Sequence, residues 1–317
     1  MKPFTIMVPC STSNLGAGFD ALGLALSGPD LIVRVTPGGS RLHIAGLSGE
    51  GADRLPRDAT NRVIQAAHHA ALLAGKDPAQ LKAEVEIHSS IPLKRGLGSS
   101  AAAAVAGAML ADQLLEGAVG LLGVQQAAVE LEGHPDNVVP CLRGGAQVSV
   151  RDGAGRVLSC EIPIKLALRG ALYIPDEELA TSAARSVLPR EVPLADAVFN
   201  LGRAALLVAA LGQGRIDLLG EAMEDRIHQT PRAGLLPWLP ELLREARAAG
   251  AAGAALSGAG TTVFALCSPE SARAVATRMM DVAASRGVAG RGEVVEVAVA
   301  GAQVLGNGHG SMRQERP

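Results

Sequence analysis

Aromatic residues are scarce in this chain of 317 residues: one Trp, one Tyr and four Phe make up 2% of it. That scarcity argues against a nucleic-acid binder that stacks bases on aromatic rings. An excess of one charge is missing too, with 29 basic against 31 acidic residues and a formal net charge of −2. No strongly basic face is implied, so neither nucleic acid nor an anionic membrane surface is the expected main partner. Cys10, Cys141, Cys160 and Cys267 are scattered without a Cys-x-x-Cys pair. Neither a disulfide framework nor a zinc site is suggested, and a reducing cytoplasm fits. The apolar part of "MKPFTIMVPCS" is too short for a secretory signal. The longest uncharged stretch, 248–269, is broken by glycines. It reads as helix end, loop and buried strand, not as a membrane span.

Apolar residues make up 48% of the chain, so a sizeable core of Ala, Leu and Val is expected. Strands are expected at 3–10, 22–27, 31–37 and 83–92, with a hairpin or loop over 37–58. Helical spacing over 60–75 follows a cap residue, Thr60, and ends at Gly75. Further helices are expected at 99–115 and 121–131, and 133–145 reads as a loop with a short helical or extended centre. After strands in "AQVSVRD" and "LALRGALYIP", helices are expected at 178–188, 194–212, 215–228, 239–249 and 269–286. "AALSGAGTTVFALC" reads as loop then strand, and "EVVEVAVAGAQVL" as a last strand. Mixed strand pairs and helices suggest an α+β chain of two domains, 1–150 and 151–305, with a disordered tail over 306–317.

Three Gly-x-Gly loops stand out: "GAGFDA" at 16–21, "GLGSSA" at 96–101 and "GAGTTV" at 258–263. Each alone is weak, because tight turns use the same residues. The middle loop lies between an expected strand and an Ala-rich helix. Its glycines let N–H groups converge, Ser99 and Ser100 can cap the helix, and small alanines leave room beside the first turn. Oriented amides at the positive end of a helix dipole make an anion site, with phosphate as the expected occupant. A Walker-type loop is excluded, since no Gly-Lys-Ser or Gly-Lys-Thr follows the turn. A dinucleotide fingerprint fits poorly, because "IPLKR" separates the strand from the first glycine.

"PLKRGLGSSAA" resembles the Pro-x-x-x-Gly-Leu-Gly-Ser-Ser-Ala-Ala signature of the GHMP kinases, and "LSGAGTTVFAL" resembles that family's third signature, with Thr261 where proline is usual. The resemblance covers about residues 3–300. It implies a fold with an N-terminal ribosomal-protein-S5-domain-2-like domain and a C-terminal ferredoxin-like α/β sandwich. It also implies ATP and Mg2+ as cofactors. The ATP contacts would be Asn61 and the loop Pro92, Lys94, Arg95, Gly96, Leu97, Gly98, Ser99, Ser100, Ala101 and Ala102, with Ser257, Gly258 and Gly260 packed beside them. Solvent exposure is the plainer expectation for Lys94. Ser99 or Ser100 would give the metal one oxygen and Glu130 another. Glu132, two residues on, is an open alternative, and only one of the two should face inward on a helix.

The first signature, "SNLGAGFDALGLAL", and "EGHPDNVVPCLRGG" are similar to the branch of the family that phosphorylates L-homoserine. A zwitterion with a hydroxyl needs acceptors for its ammonium and cations for its carboxylate. Asp20 and Asp136, with His134 adding a polar contact, suit the first need. The resemblance places Arg185 and Arg232 at the carboxylate, which a guanidinium fork binds well. It puts Asn14 and Asn137 near the reacting hydroxyl and Thr181 near the transferred phosphate. Asparagine takes no proton, so no dedicated general base is expected. His43, His68, His69, His88 and His309 are given no role. A homodimer is implied by the resemblance alone, since no exposed apolar helix is legible in the sequence.

Overall fold

The computed structural model describes residues 1–306. Beyond Gly306, the expected tail and His309 lie outside the described residues. The first sheet has seven strands. β1 (Phe4–Ser13) and the long β2 (Leu22–Pro37) pair antiparallel along their length, with a register shift between Pro9 and Cys10. The shift divides β2. Its later half pairs with β4 (Ala83–Ser89), and its earlier half pairs with β5 (Ala146–Arg151). β3 (Leu42–Gly49) runs parallel to β4, and β6 (Val157–Ile162) forms a hairpin with β5. β1 alternates buried and half-buried residues up to Pro9. It is then buried on both sides from Cys10, where it passes beneath the cleft described below.

Four helices cover this sheet: α2 (Ser99–Leu114) and α4 (Val138–Arg143) lie against β1 and β2, and α1 (Arg62–Leu73) and α3 (Gly120–Glu132) pack on α2. α2 has apolar residues all round and is the central buried helix. Small residues let α1 approach it closely. A Cβ on Gly107 would stand 2.1 Å from the Val63 carbonyl oxygen. The α1 cap is Asn61, whose Oδ1 accepts from the Val63 N–H at 3.0 Å. Thr60, the expected cap, instead bonds to Asp58 through its N–H and hydroxyl.

The second sheet contains β7 (Arg169–Pro175), β8 (Gly253–Leu256), β9 (Val263–Cys267) and β10 (Gly290–Glu296) in the order β10-β7-β9-β8. In chain order that is 4-1-3-2 and antiparallel throughout, which is the expected ferredoxin-like sandwich. Between β7 and β8 run α5 (Thr181–Ser186), α6 (Leu194–Gln213), α7 (Leu219–Ala222), α8 (Gln229–Ala233) and α9 (Leu239–Ala248), and α10 (Ala272–Ser285) precedes β10. Period-two alternation splits this sheet between two cores. Leu172, Ile174, Phe264 and Leu266 join the core of the first sheet, whereas Ala171, Tyr173, Val263 and Ala265 pack with α9 and α10.

Several expectations are corrected here. The boundary near residue 151 falls inside the β5–β6 hairpin, and the chain returns at β11 (Gln303–Leu305) to pair with β1. The two units therefore interleave and share a core. The last expected strand is two, β10 and β11. The helix expected over 215–228 is confined to a single turn of 3-10 helix and α7. Beyond α7, Asp225 accepts hydrogen bonds from the N–H groups of Ile227, His228 and Gln229 and holds the chain as a turn. An exposed apolar helix does exist: α6 shows Leu194, Val198 and Leu201 at its surface. By length and composition α6 is also able to cross a membrane, but Leu207, Ala210 and Leu211 bury its other face in the protein.

Candidate active site

The glycine loop is built as a cradle. Gly98 is the N-cap of α2 with φ +70° and makes no side-chain cap, so Ser99 and Ser100 lie inside the first turn instead of capping it. A Cβ on Gly98 would lie 2.3 Å from Ser11 Oγ, and one on Gly96 (φ +77°) would lie 2.1 Å from the Ser257 carbonyl oxygen. Only glycine lets the loop fold onto both neighbours. The first N–H groups of α2 have no intrahelical acceptor and face the cleft mouth with the positive end of the helix dipole.

The third loop locks against the second. Ser257 Oγ bonds to Thr12 Oγ1 at 2.8 Å and to the Gly96 carbonyl at 2.6 Å, and the Thr262 N–H donates to the Arg95 carbonyl. Ser257 and Gly260 thus brace the loop from behind, while Gly258 and Ala259 reach the cleft. Thr261 sits where proline was expected and donates its hydroxyl to the Glu177 carbonyl at 2.8 Å.

One cavity of about 290 Å³ joins these loops to the remaining residues of interest. At one end Leu31, Leu47, Leu55, Val63, Ile87 and Leu93 form an aliphatic slot. Asn61, Pro92, Lys94, Arg95, Gly96, Leu97, Gly98, Ser99 and Ser100 line the middle. Ala101 and Ala102 do not line it. Their methyl groups turn into the core, and Ala103 faces the cleft instead. Lys94 is 60% exposed, with its Nζ 3.7 Å from Glu178 Oε2. Arg95 is spent on the carbonyls of Pro175 and Asp176.

The far end is a cluster of charges. Arg185 Nη2 and Nη1 donate to the two oxygens of Asp20 at 2.7 and 3.1 Å. This hydrogen bond raises the Arg185 pKa above its ordinary value. Asp136 is 2% exposed and bonds to His134 Nδ1 at 2.6 Å. Burial would lower the His134 pKa, but the Asp136 hydrogen bond and charge outweigh it and raise the value. Arg232 is 2% exposed, and burial together with Arg185 nearby pushes its pKa down to about 10. Its Nη1 donates to the Gly258 carbonyl at 2.9 Å and to His228 Nδ1 at 3.0 Å.

Asn14 and Asn137 stand between the two ends. Asn14 Nδ2 donates to the Gly258 carbonyl at 2.9 Å, and its Oδ1 accepts from the Asp20 N–H at 3.0 Å. Asn137 Nδ2 donates to Ser13 Oγ at 2.8 Å, and its Oδ1 accepts from Ser11 Oγ at 2.9 Å. Each amide nitrogen keeps a second N–H. Thr181 lines the same cavity as the first residue of α5.

The metal expectation for Glu130 is corrected. Its carboxylate bonds to His69 Nε2 and Gln126 Nε2, both at 2.8 Å, and does not line the cavity. Glu132 is the inward residue, accepting from Ser100 Oγ at 2.7 Å. Two hard oxygens at the mouth of α2 fit a Mg2+ held chiefly by phosphates and water. Among the described residues no group of three or more His, Cys, Asp or Glu forms a cage that would hold a metal alone.

Two contributors escaped the sequence reading. His228 is fully buried, donates from Nε2 to the Gly16 carbonyl at 2.8 Å and stacks on Phe19, so it joins the first loop to Arg232. Burial lowers its pKa and favours the neutral ring that this pairing requires. Its spacing of four from Arg232 was a visible signal. Arg62, the first residue of α1, reaches both Ser100 and Glu132.

Family models described as GHMP kinases N terminal domain and GHMP kinases C terminal match residues 61–145 and 207–282. The chain is 44% identical over 294 residues to homoserine kinase of Deinococcus radiodurans, covering 92% of this chain and 93% of that one. It is 42% identical to homoserine kinase of Moorella thermoacetica, covering 83% and 86%. The crystal structure of homoserine kinase from Cytophaga hutchinsonii superposes with a TM-score of 0.86 at 30% identity, covering 96% of this chain and 98% of that one.

Proposed function

The chain belongs to the homoserine kinases of the GHMP kinase family, and from that premise we propose how its cleft phosphorylates L-homoserine with ATP on the route to threonine. The homoserine hydroxyl attacks the γ-phosphorus, the bond to the β–γ bridging oxygen breaks, and O-phospho-L-homoserine and ADP leave. The observation that carries this reading is the pairing, in one cavity, of an amide cradle with two carboxylates and two guanidiniums. A phosphate tail suits the first, and a free amino acid suits the second.

In this reading the aliphatic slot takes the nucleoside, and the N–H groups of 96–100 and the α2 dipole hold the phosphates. Bound Mg2+ at Ser100 and Glu132 would supply charge neutralisation on the β- and γ-phosphates. Asp20 and Asp136 take the ammonium, and Arg185 and Arg232 take the carboxylate. The second N–H groups of Asn14 and Asn137 orient the hydroxyl, and Thr181 stands by the transferred phosphate. No residue acts as a dedicated base, so the proton departs late to the phosphoryl oxygens. Phosphoryl transfer tolerates this, being mostly a matter of positioning and charge.

A homodimer formed through the uncharged outer face of α6 is also proposed, with the exposed Leu194, Val198 and Leu201 in support. A cytoplasmic setting without nucleic-acid or membrane partners fits the balanced charge and the four free cysteines. ADP release with magnesium-ATP over homoserine, mevalonate, galactose and shikimate tests the assignment. Turnover with homoserine alone is expected. Absence of ADP with homoserine, or equal turnover with another acceptor, contradicts it.

A further inference from the structure

Arg62 occupies the place where a cation is needed. Its Nε donates to Ser100 Oγ at 3.1 Å and its Nη2 donates to Glu132 Oε2 at 3.1 Å, while Ser100 Oγ donates to the same Glu132 oxygen at 2.7 Å. The three side chains close a ring over the mouth of α2. The Glu132 side chain is 11% exposed and that of Arg62 is 35% exposed. A guanidinium at this point lies at the first residue of α1 and beside the start of α2, where helix dipoles disfavour positive charge. The carboxylate of Glu132 is what holds it there. Without a neighbouring cation, that same carboxylate would repel a polyphosphate entering the glycine loop.

We propose that Arg62 is the resident counter-cation of the metal site: it holds the Ser100–Glu132 oxygen pair when no nucleotide is bound and yields that pair to the metal that arrives with the phosphates. This rests on the reading of the cleft as a magnesium-nucleotide site. Two consequences follow. Arg62 screens the pair from free divalent cations, so metal enters mainly as the metal–nucleotide complex. Once released, its five-donor fork lies beside the phosphates and gives them a second positive contact. Arg62 thus acts through Glu132 before nucleotide binds and directly on the phosphates afterwards.

The test reads binding, not turnover. Mn2+ is the probe, titrated into nucleotide-free protein and followed by loss of the free-ion electron paramagnetic resonance signal. Binding of ADP in EDTA is followed by calorimetry. Removing one partner of a partly exposed ion pair is worth about two- to fivefold. Arg62→Ala is therefore expected to bind Mn2+ about two- to fivefold more tightly than the parent chain and metal-free ADP more weakly by a similar factor. Arg62→Lys keeps the charge and should restore most of the exclusion. In the double variant Arg62→Ala with Glu132→Gln, the Mn2+ gain should vanish. Arg62→Gln serves in place of alanine if that variant does not fold. Unchanged or weaker Mn2+ binding on removing the charge overturns the proposal, as does a gain that persists without Glu132. Neither titration contains homoserine, so failure here leaves the proposed reaction standing, and failure of the acceptor panel leaves these titrations interpretable.

Discussion

Asp20 and Arg185 face each other as a two-point ion pair, with Nη2 to Oδ1 at 2.7 Å and Nη1 to Oδ2 at 3.1 Å. Both side chains are more than a third exposed, so the pair adds little to stability, at most about 1 kcal/mol. Its form matches a zwitterion in reverse. A free amino acid can insert its ammonium against Asp20 and its carboxylate against Arg185, replacing each partner with a like charge.

Substitutions at the two arginines should separate the substrates. Arg185→Gln is expected to raise the homoserine KM at least tenfold, since a charged hydrogen bond contributes about 1.5–3 kcal/mol, with the ATP KM changed less than about threefold. Arg232→Leu should do the same and also lower the melting temperature, because buried Arg232 ties the third loop to His228. Steady-state kinetics with each substrate varied checks both. Equal rises in the two KM values would remove the arginines from the carboxylate site.

Glu132 and Glu130 should differ sharply. Glu132→Gln is expected to raise the Mg2+ concentration for half-maximal rate and to cut kcat at least about a hundredfold, in line with loss of charge stabilisation around a transferring phosphoryl group. Glu130→Gln, which disturbs only contacts with His69 and Gln126, should stay within about twofold, as surface changes usually do. A magnesium titration of each variant decides the matter.

Asn137→Asp tests the absence of a base. Ser11 and Ser13 hold the amide in place, and an aspartate has no N–H to give Ser13. The expected result is a lower kcat across pH 6–9 with no new rising limb. A strong increase in turnover near neutral pH would show that proton removal limits the natural enzyme.

His134 gives a pH signature in stability. Its folded pKa is raised above the ordinary 6.5, so the protonated ring is the form that folding favours. The contribution is complete below about pH 6.5 and is lost as pH rises through the raised folded value. Urea unfolding should therefore show a larger gap between the parent chain and His134→Gln at pH 6 than at pH 9, by no more than about 2 kcal/mol. A gap that widens with pH would contradict the raised value.

The glycine loops and most strands left local marks in the sequence, as glycine at tight turns and alternating apolar residues, whereas the ferredoxin-like half and most of the cleft residues were implied only by the family resemblance. β3 stayed hidden in a glycine-rich polar stretch, since an edge strand needs few apolar residues. The inward choice of Glu132 was not decided by helical phase, since Glu130 follows buried Ala127 by three residues just as Glu132 follows buried Val129. Arg62 and Asp225 were not legible, because each acts through partners far away in sequence or through backbone N–H groups that no pattern reveals. The interleaved boundary was missed for a similar reason, as β11 joins a strand nearly three hundred residues earlier.

A crystal structure of the chain with magnesium, a non-hydrolysable ATP analogue and L-homoserine tests the central claim most directly. The account predicts β- and γ-phosphate density against the N–H groups of residues 96–100, the homoserine carboxylate between Arg185 and Arg232, and its hydroxyl facing the γ-phosphate beside Asn137. Phosphate density away from that loop, or homoserine bound outside the Asp20–Arg185 end of the cavity, would contradict it.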